Sequence, residues 1–249
     1  TQMAKDIRSG MTPDEVLEAL GSMVAQAHDK ITKNAQANYD SKGMASTIVL
    51  ACVLDGNAHI VWAGDSRAYL FRDGNLHCLT SDHSQVQEFV LRGMLTNAQA
   101  RLHPQKNLIT RALGCGNSKP DGISLSLKDG DNLLLVSDGI MDALDDQQIA
   151  EALTTGEGDK AEAIVKAAVK AKTSDNATAV LYEHVANPEL PVSRFYPLQV
   201  ARLSTTDTRS HTPAGQIEVI DSLNNCDVHQ FNGTPSLKIG RGRTNAISI

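Results

Sequence analysis

The chain has 249 residues, with 23 Lys and Arg against 29 Asp and Glu, so it can hold one large domain or a domain with part of a second. Its net charge of −6 leaves no basic field for a phosphate backbone or an anionic lipid surface, which excludes nucleic-acid binding and polybasic membrane attachment. The longest apolar run, STIVLACVL at residues 46–54, is about half the length of a membrane-spanning helix, so no membrane span is expected.

In chain order, residues 11–36 carry the first strong pattern. Thr12 suits an N-cap, Pro13 the first helical position, and Asp14 and Glu15 the first turn. Val16, Leu17, Leu20, Met23, Val24 and Ile31 recur at helical spacing, which predicts a surface helix with one buried face. From residue 46 the texture changes to short β-rich runs, STIVLACVL, AHIVWAG, RAYLF and LHCLT. The Asp55-Gly56 and Asp73-Gly74 pairs separate them as hairpin turns and predict an antiparallel meander. After Ser84, an N-cap, residues 85–93 and 97–109 read as two short helices joined through Gly93. Strands follow at 123–127 and 132–137, helices at 145–153 and 159–171, and a last strand at 177–182. Helices gathered around a mainly antiparallel sheet make an α+β layered domain over residues 1–185.

Pro188, Pro191 and Pro197, followed by the Ser/Thr-rich STTDTRSHT, predict a linker over residues 186–212 that leads into new β structure at 213–249. The acidity belongs to the first part, because residues 1–184 hold 17 Lys and Arg against 24 Asp and Glu. Cys52, Cys78, Cys115 and Cys226 form no CxxC pair, which predicts reduced thiols in a cytoplasmic protein.

Three carboxylates stand at the ends of core strands. Asp65 lies in Ala63-Gly64-Asp65-Ser66-Arg67, Asp138 in Ser137-Asp138-Gly139 after Leu133-Leu134-Leu135-Val136, and Asp175 in Ser174-Asp175-Asn176 before the last strand. Hard divalent cations prefer such oxygen donors, and converging carboxylates need a cation to offset their repulsion, so the set points to a metal site. Taken singly, each Asp is better explained as a turn residue, which is the commoner use of Asp-Gly and Asp-Asn.

The order of longer motifs separates these readings. GMASTIV (43–49), AGDSRAYLFRDGNL (63–76), LTSDHS (79–84), ITRALG (109–114), DNLLLVSDGIMD (131–142) and SDNATAV (174–180) together resemble the bacterial branch of the metal-dependent serine/threonine protein phosphatases of type 2C. The resemblance covers residues 1–184. It implies a four-layer α-β-β-α sandwich in which two Mn²⁺ or Mg²⁺ ions hold a bridging water that attacks phosphorus in line, with no phosphoenzyme. By resemblance, Asp138 and Asp175 are metal ligands of the binuclear centre, and Asp65 binds a third, more weakly held ion. Ser137 and Asn176 would orient these ligands. Residues 85–103 correspond to the mobile flap beside the active site. The implied partners are phosphorylated proteins, the substrates of Ser/Thr kinases.

The strand with a phosphate-binding Arg, the Glu-Asp pair and the glycine-rich metal-binding segment that open this family do not precede Thr12. The chain therefore reads as a fragment with half of its metal shell missing, expected to bind metal poorly and to be inactive or weakly active. His83 reads as structural, and Arg67 and Arg111 as solvated cations within reach of a substrate phosphate. GQIEVI at 215–220, SLKIGR at 236–241 and NAI at 245–247 resemble the opening strands of a forkhead-associated domain, a phosphothreonine-binding β-sandwich whose phosphate-contacting Arg matches Arg241. The alternative function, from a different class, is a catalytically inactive phosphatase-fold module that binds phosphoproteins.

Overall fold

The computed structural model describes residues 7–37, 42–155 and 159–185, and beyond them the backbone of strands Gln199–Val200, Gly215–Ile220, Cys226–Gln230 and Pro235–Ser236. Helix α1 spans Pro13–Ala37. Thr12 and Glu15 close its N-terminus reciprocally, the Glu15 N–H donating to Thr12 Oγ1 at 3.3 Å and the Thr12 N–H to Glu15 Oε2 at 2.7 Å.

Two antiparallel sheets follow. The first joins β1 (Ile48–Leu54), β2 (Asn57–Ala63) and β5 (Asp121–Ser126) in the order β1-β2-β5. The second joins β3 (Arg67–Arg72), β4 (Asn75–Cys78), β6 (Asn132–Val136) and β7 (Ala179–His184) in the order β7-β6-β3-β4. Two later strands, β9 (Gly215–Ile220) and β10 (Cys226–Gln230), continue it beyond β7, and β8 (Gln199–Val200) pairs in parallel with β11 (Pro235–Ser236). Five further helices complete the order: α2 (Gln85–Leu91), α3 (Asn97–Leu102), α4 (Asp138–Ala143), α5 (Asp146–Thr155) and α6 (Lys160–Lys170).

Side-chain alternation sorts these elements into layers. Along β1, Ile48, Leu50, Cys52 and Leu54 pack with Val16, Leu20 and Val24 of α1, while Val49, Ala51 and Val53 pack with the other sheet. Along β6, Leu133 and Leu135 meet Ile60 and Trp62 of the first sheet, while Leu134 and Val136 meet Ile140, Ile149, Ile164 and Val165 under α4, α5 and α6. Both faces of β1, β2 and β6 are therefore covered, which explains why these antiparallel strands read as apolar runs. The layers run α1, first sheet, second sheet, α4–α6. Burial pushes the Cys52 thiol up to about 12, as expected of an inert core cysteine.

The structure differs from the expected elements in three places. The meander divides, because the chain passes from the first sheet to the second at Gly64 (φ +119°), so β2 and β3 are not hairpin partners. Helix α3 stops at Leu102 rather than near residue 109, since Pro104 forces His103 into extended backbone (φ −71°, ψ 137°). Asp138 is not simply a strand-end turn residue but the first residue of α4, with Ser137 at the N-cap. Arg241 and the Gly240-Arg241 motif lie outside the described residues, as does most of the expected linker.

Leu134 is fully buried in the helix-covered core. Leu134→Ala is expected to lower unfolding stability by about 2–5 kcal/mol, read as a lower urea midpoint at unchanged m-value.

Candidate functional site

The antiparallel register places the three sequence-selected aspartates at one end of the second sheet. Arg67 of β3 stands opposite Val136 of β6, and Val136 stands opposite Ala179 of β7. Asp65 therefore precedes β3, Asp138 follows β6 and Asp175 precedes β7 at the same edge.

The Asp138 and Asp175 loops are stitched together. Ser137 N–H donates to the Thr178 carbonyl at 3.0 Å, Ser137 Oγ donates to the Asn176 carbonyl at 3.2 Å, and the same hydroxyl accepts from the Thr178 N–H at 3.0 Å. From the other side, Thr173 Oγ1 donates to the Gly139 carbonyl at 2.8 Å. A Cβ on Gly139 would sit 2.3 Å from the Asn176 carbonyl oxygen, so only glycine permits this approach. Each carboxylate accepts from the next backbone amide, Asp138 from Gly139 at 3.0 Å and Asp175 from Asn176 at 2.8 Å. Ser137 thus joins the two loops through its side chain, whereas Asn176 takes part through its backbone carbonyl.

Asp65 and Asp138 face a shared cavity of about 340 Å³. Asp82, Asp142 and Asp146 add carboxylates to its lining, and Arg67, Arg101 and Lys106 add cations, so acidic groups outnumber basic ones five to three. Asp175 does not line this cavity. Among the described residues, no three His, Cys, Asp or Glu side chains gather as a metal-holding group. The donor chemistry suits a hard divalent ion in kind, but the aspartates come as two pairs, Asp65 with Asp138 across the cavity and Asp138 with Asp175 on joined loops, and not as a closed triad.

The cations are already engaged. Arg67 clamps Asp82 through Nε at 2.7 Å and Nη2 at 2.8 Å, and Nη1 donates to the Tyr69 hydroxyl, which in turn donates to Asp146 at 3.2 Å. Burial alone would weaken the proton affinity of Arg67, but the Asp82 carboxylate prevails and raises its pKa. Burial raises the pKa of Tyr69, so its hydroxyl stays a donor. Arg111 is paired with Asp121 at 2.6 Å and does not line the cavity, so the two arginines read as solvated cations are each held by a carboxylate. Arg101 Nη2 donates to the carbonyls of Met141 and Leu144 at 2.9 and 2.8 Å, and Lys106 pairs with Asp142 at 2.8 Å. These contacts hold the 85–107 segment against α4. Sequence reasoning missed Arg101, Lys106, Asp142 and Asp146, because long-range pairs leave no local pattern.

Gly139→Ala is expected to lower the melting temperature through about 1–3 kcal/mol of overpacking, since the new methyl meets backbone rather than a movable side chain. Burial, joined by Arg111, holds His83 below its ordinary 6.5 against the opposing pull of Asp121 and Asp82. That contribution to stability is complete above pH 6.5 and is lost as the pH falls below it, because the unfolded chain takes up the proton first. Melting temperatures measured from pH 7.5 to 5 should fall less steeply in His83→Asn than in the unsubstituted protein.

Residues 2–171 match the family model described as protein phosphatase 2C. The serine/threonine protein phosphatase PstP of Mycobacterium tuberculosis is 31% identical over 210 residues, covering 83% of this chain and 40% of PstP. Protein phosphatase PhpP of Streptococcus pneumoniae is 36% identical over 173 residues, covering 68% of this chain and 70% of PhpP. The chain thus spans less than half the length of the first of these relatives. The crystal structure of the Mycobacterium tuberculosis phosphatase superposes with a TM-score of 0.65 over 72% of this chain and 75% of that one, at 31% identity. The PstP catalytic domain in complex with two manganese ions superposes with a TM-score of 0.59 at 28% identity, covering 72% of this chain and 77% of that one. With its two-sheet fold, its motif order and these matches in agreement, the chain belongs to the protein phosphatase 2C family.

Proposed function

We propose that the protein hydrolyses phosphoserine and phosphothreonine in proteins, in a metal-dependent reaction that reverses bacterial Ser/Thr kinase signalling. The observation that carries this reading is the delivery of Asp65, Asp138 and Asp175 to one sheet edge by the β3-β6-β7 register, beside an acidic cavity. Two Mn²⁺ or Mg²⁺ ions, with a possible third, would supply Lewis acidity and an activated water when bound. Asp138 and Asp175 would hold the pair and Asp65 the third.

The chain's own residues organise that edge. Ser137 and Thr173 lock the Asp138 and Asp175 loops together, so neither loop can move away from the other without breaking several hydrogen bonds. Arg67 neutralises Asp82 and supports Tyr69 and Asp146, which limits repulsion among the lining carboxylates. The excess of carboxylates disfavours a bare phosphate dianion in the cavity and favours a phosphate that arrives with cations.

Phosphorylated proteins are the proposed partners, and a cytoplasmic location is proposed with them. No helix among the described residues is long and apolar enough to cross a membrane. Arg241 is proposed to contact phosphothreonine in a forkhead-associated segment that tethers substrates, a reading that rests on the sequence of GQIEVI at 215–220, SLKIGR at 236–241 and NAI at 245–247.

The test is phosphate release from a phosphothreonine peptide with and without Mn²⁺, in this chain and in one extended upstream through the family's glycine-rich segment. Mn²⁺-dependent release is expected in the extended form and is expected to fall about 100-fold or more in its Asp138→Asn variant. Undiminished release in that variant would refute the ligand assignment. Peptide binding without hydrolysis in both forms would establish the inactive binding module.

A further inference from the structure

His83 has all four of its polar groups committed, and two of them meet one residue. Its backbone N–H donates to the Gly64 carbonyl at 2.9 Å, and its ring Nδ1 accepts the Gly64 N–H at 3.2 Å. Its carbonyl accepts the Thr110 N–H at 2.7 Å, and its Nε2 lies 3.0 Å from Asp121 Oδ2. The ring is 7% exposed and stacks on Trp62, with centroids 6.0 Å apart and planes 12° from parallel. Since a peptide N–H only donates, Nδ1 must be unprotonated, and Nε2 therefore carries the hydrogen donated to Asp121.

The clamped residue needs such support. Gly64 has φ +119°, and a Cβ there would lie 2.4 Å from Thr47 Cγ2. It is the point where the chain leaves the first sheet for the second, and the next residue, Asp65, faces the cavity shared with Asp138. With both polar groups of Gly64 held by His83, the plane from which Asp65 departs is set by the histidine and not by sheet pairing.

We propose that His83 is a positioning residue for Asp65, clamping Gly64 so that the Asp65 carboxylate is presented to the cavity ready to bind a cation. The inference rests on the reading of Asp65 as a metal-binding carboxylate. It assigns the LTSDHS histidine a role in the site that involves no contact with substrate.

Mn²⁺ titration calorimetry of the chain extended upstream through the family's glycine-rich segment, and of its variants, with melting temperature followed in parallel, tests it. Asn places its side-chain oxygen near the Nδ1 position, whereas Gln reaches the Nε2 position and leaves the Gly64 N–H without an acceptor. His83→Gln is expected to weaken the Asp65-dependent Mn²⁺ binding about tenfold or more, while His83→Asn stays within about threefold. Equal Mn²⁺ binding in His83→Gln and the unsubstituted chain, where Asp65→Asn does weaken it, overturns the inference and leaves the Asp65 assignment standing. Unchanged binding in Asp65→Asn, or no Mn²⁺ binding by the extended chain without substitution, overturns the Asp65 assignment and the inference with it. A readout independent of metal and variant folding is the imidazole ¹⁵N spectrum of the unsubstituted protein. A protonated Nε2 and bare Nδ1 at His83 are expected, and the opposite tautomer overturns the clamp.

Discussion

Everything at the acidic edge depends on the pairing register of three antiparallel strands. With Arg67, Val136 and Ala179 side by side, the segment before β3, the turn after β6 and the loop before β7 must emerge together. A slip of one residue in β6 would exchange Leu133 and Leu135 with Leu134 and Val136 between two differently shaped cores, so packing on both faces enforces the register. The aspartates are positioned by hydrophobic burial on the two faces of the sheet.

Local chemistry then refines what the register begins. Gly139 lets the Asp138 turn touch the backbone at Asn176, and the Ser137 and Thr173 hydroxyls convert that contact into a fixed geometry. Gly64 lets the chain change sheets, and His83 holds it by both polar groups while stacking on Trp62 and reaching Asp121. Both devices put a glycine next to a carboxylate and a hydrogen-bonding side chain across from the glycine. Carboxylates placed this way have lost most of their backbone freedom before any cation arrives, which reduces the entropy cost of binding one.

The cavity's electrostatics are arranged in pairs. Arg67 is spent on Asp82, Lys106 on Asp142 and Arg101 on the carbonyl end of α4, so the lining cations serve the scaffold. Asp65 and Asp138 remain on the lining in addition to these, with Asp146 receiving the Tyr69 hydroxyl. The net acidic character that results is the reason a divalent cation belongs in the chemistry proposed for the site.

Much of this could be read from the amino-acid order. The Thr12 cap, the stripe of α1, the Asp-Gly turns and the strand-end aspartates are short-range signals, and short-range signals survive in linear sequence because neighbouring residues supply both partners. The motif order added the family. What stayed hidden needed distant partners: the division of the meander between two sheets, the docking of Arg101 and Lys106 on α4, and the placing of Asp175 beside Asp138 but outside the Asp65 cavity. The sequence by itself determined which carboxylates stand at strand ends, because a strand's length and its breaking residues are local. Only the tertiary structure decided which of those ends face one another, because that depends on sheet register and on packing between layers, and residues far apart in the chain must meet before either exists.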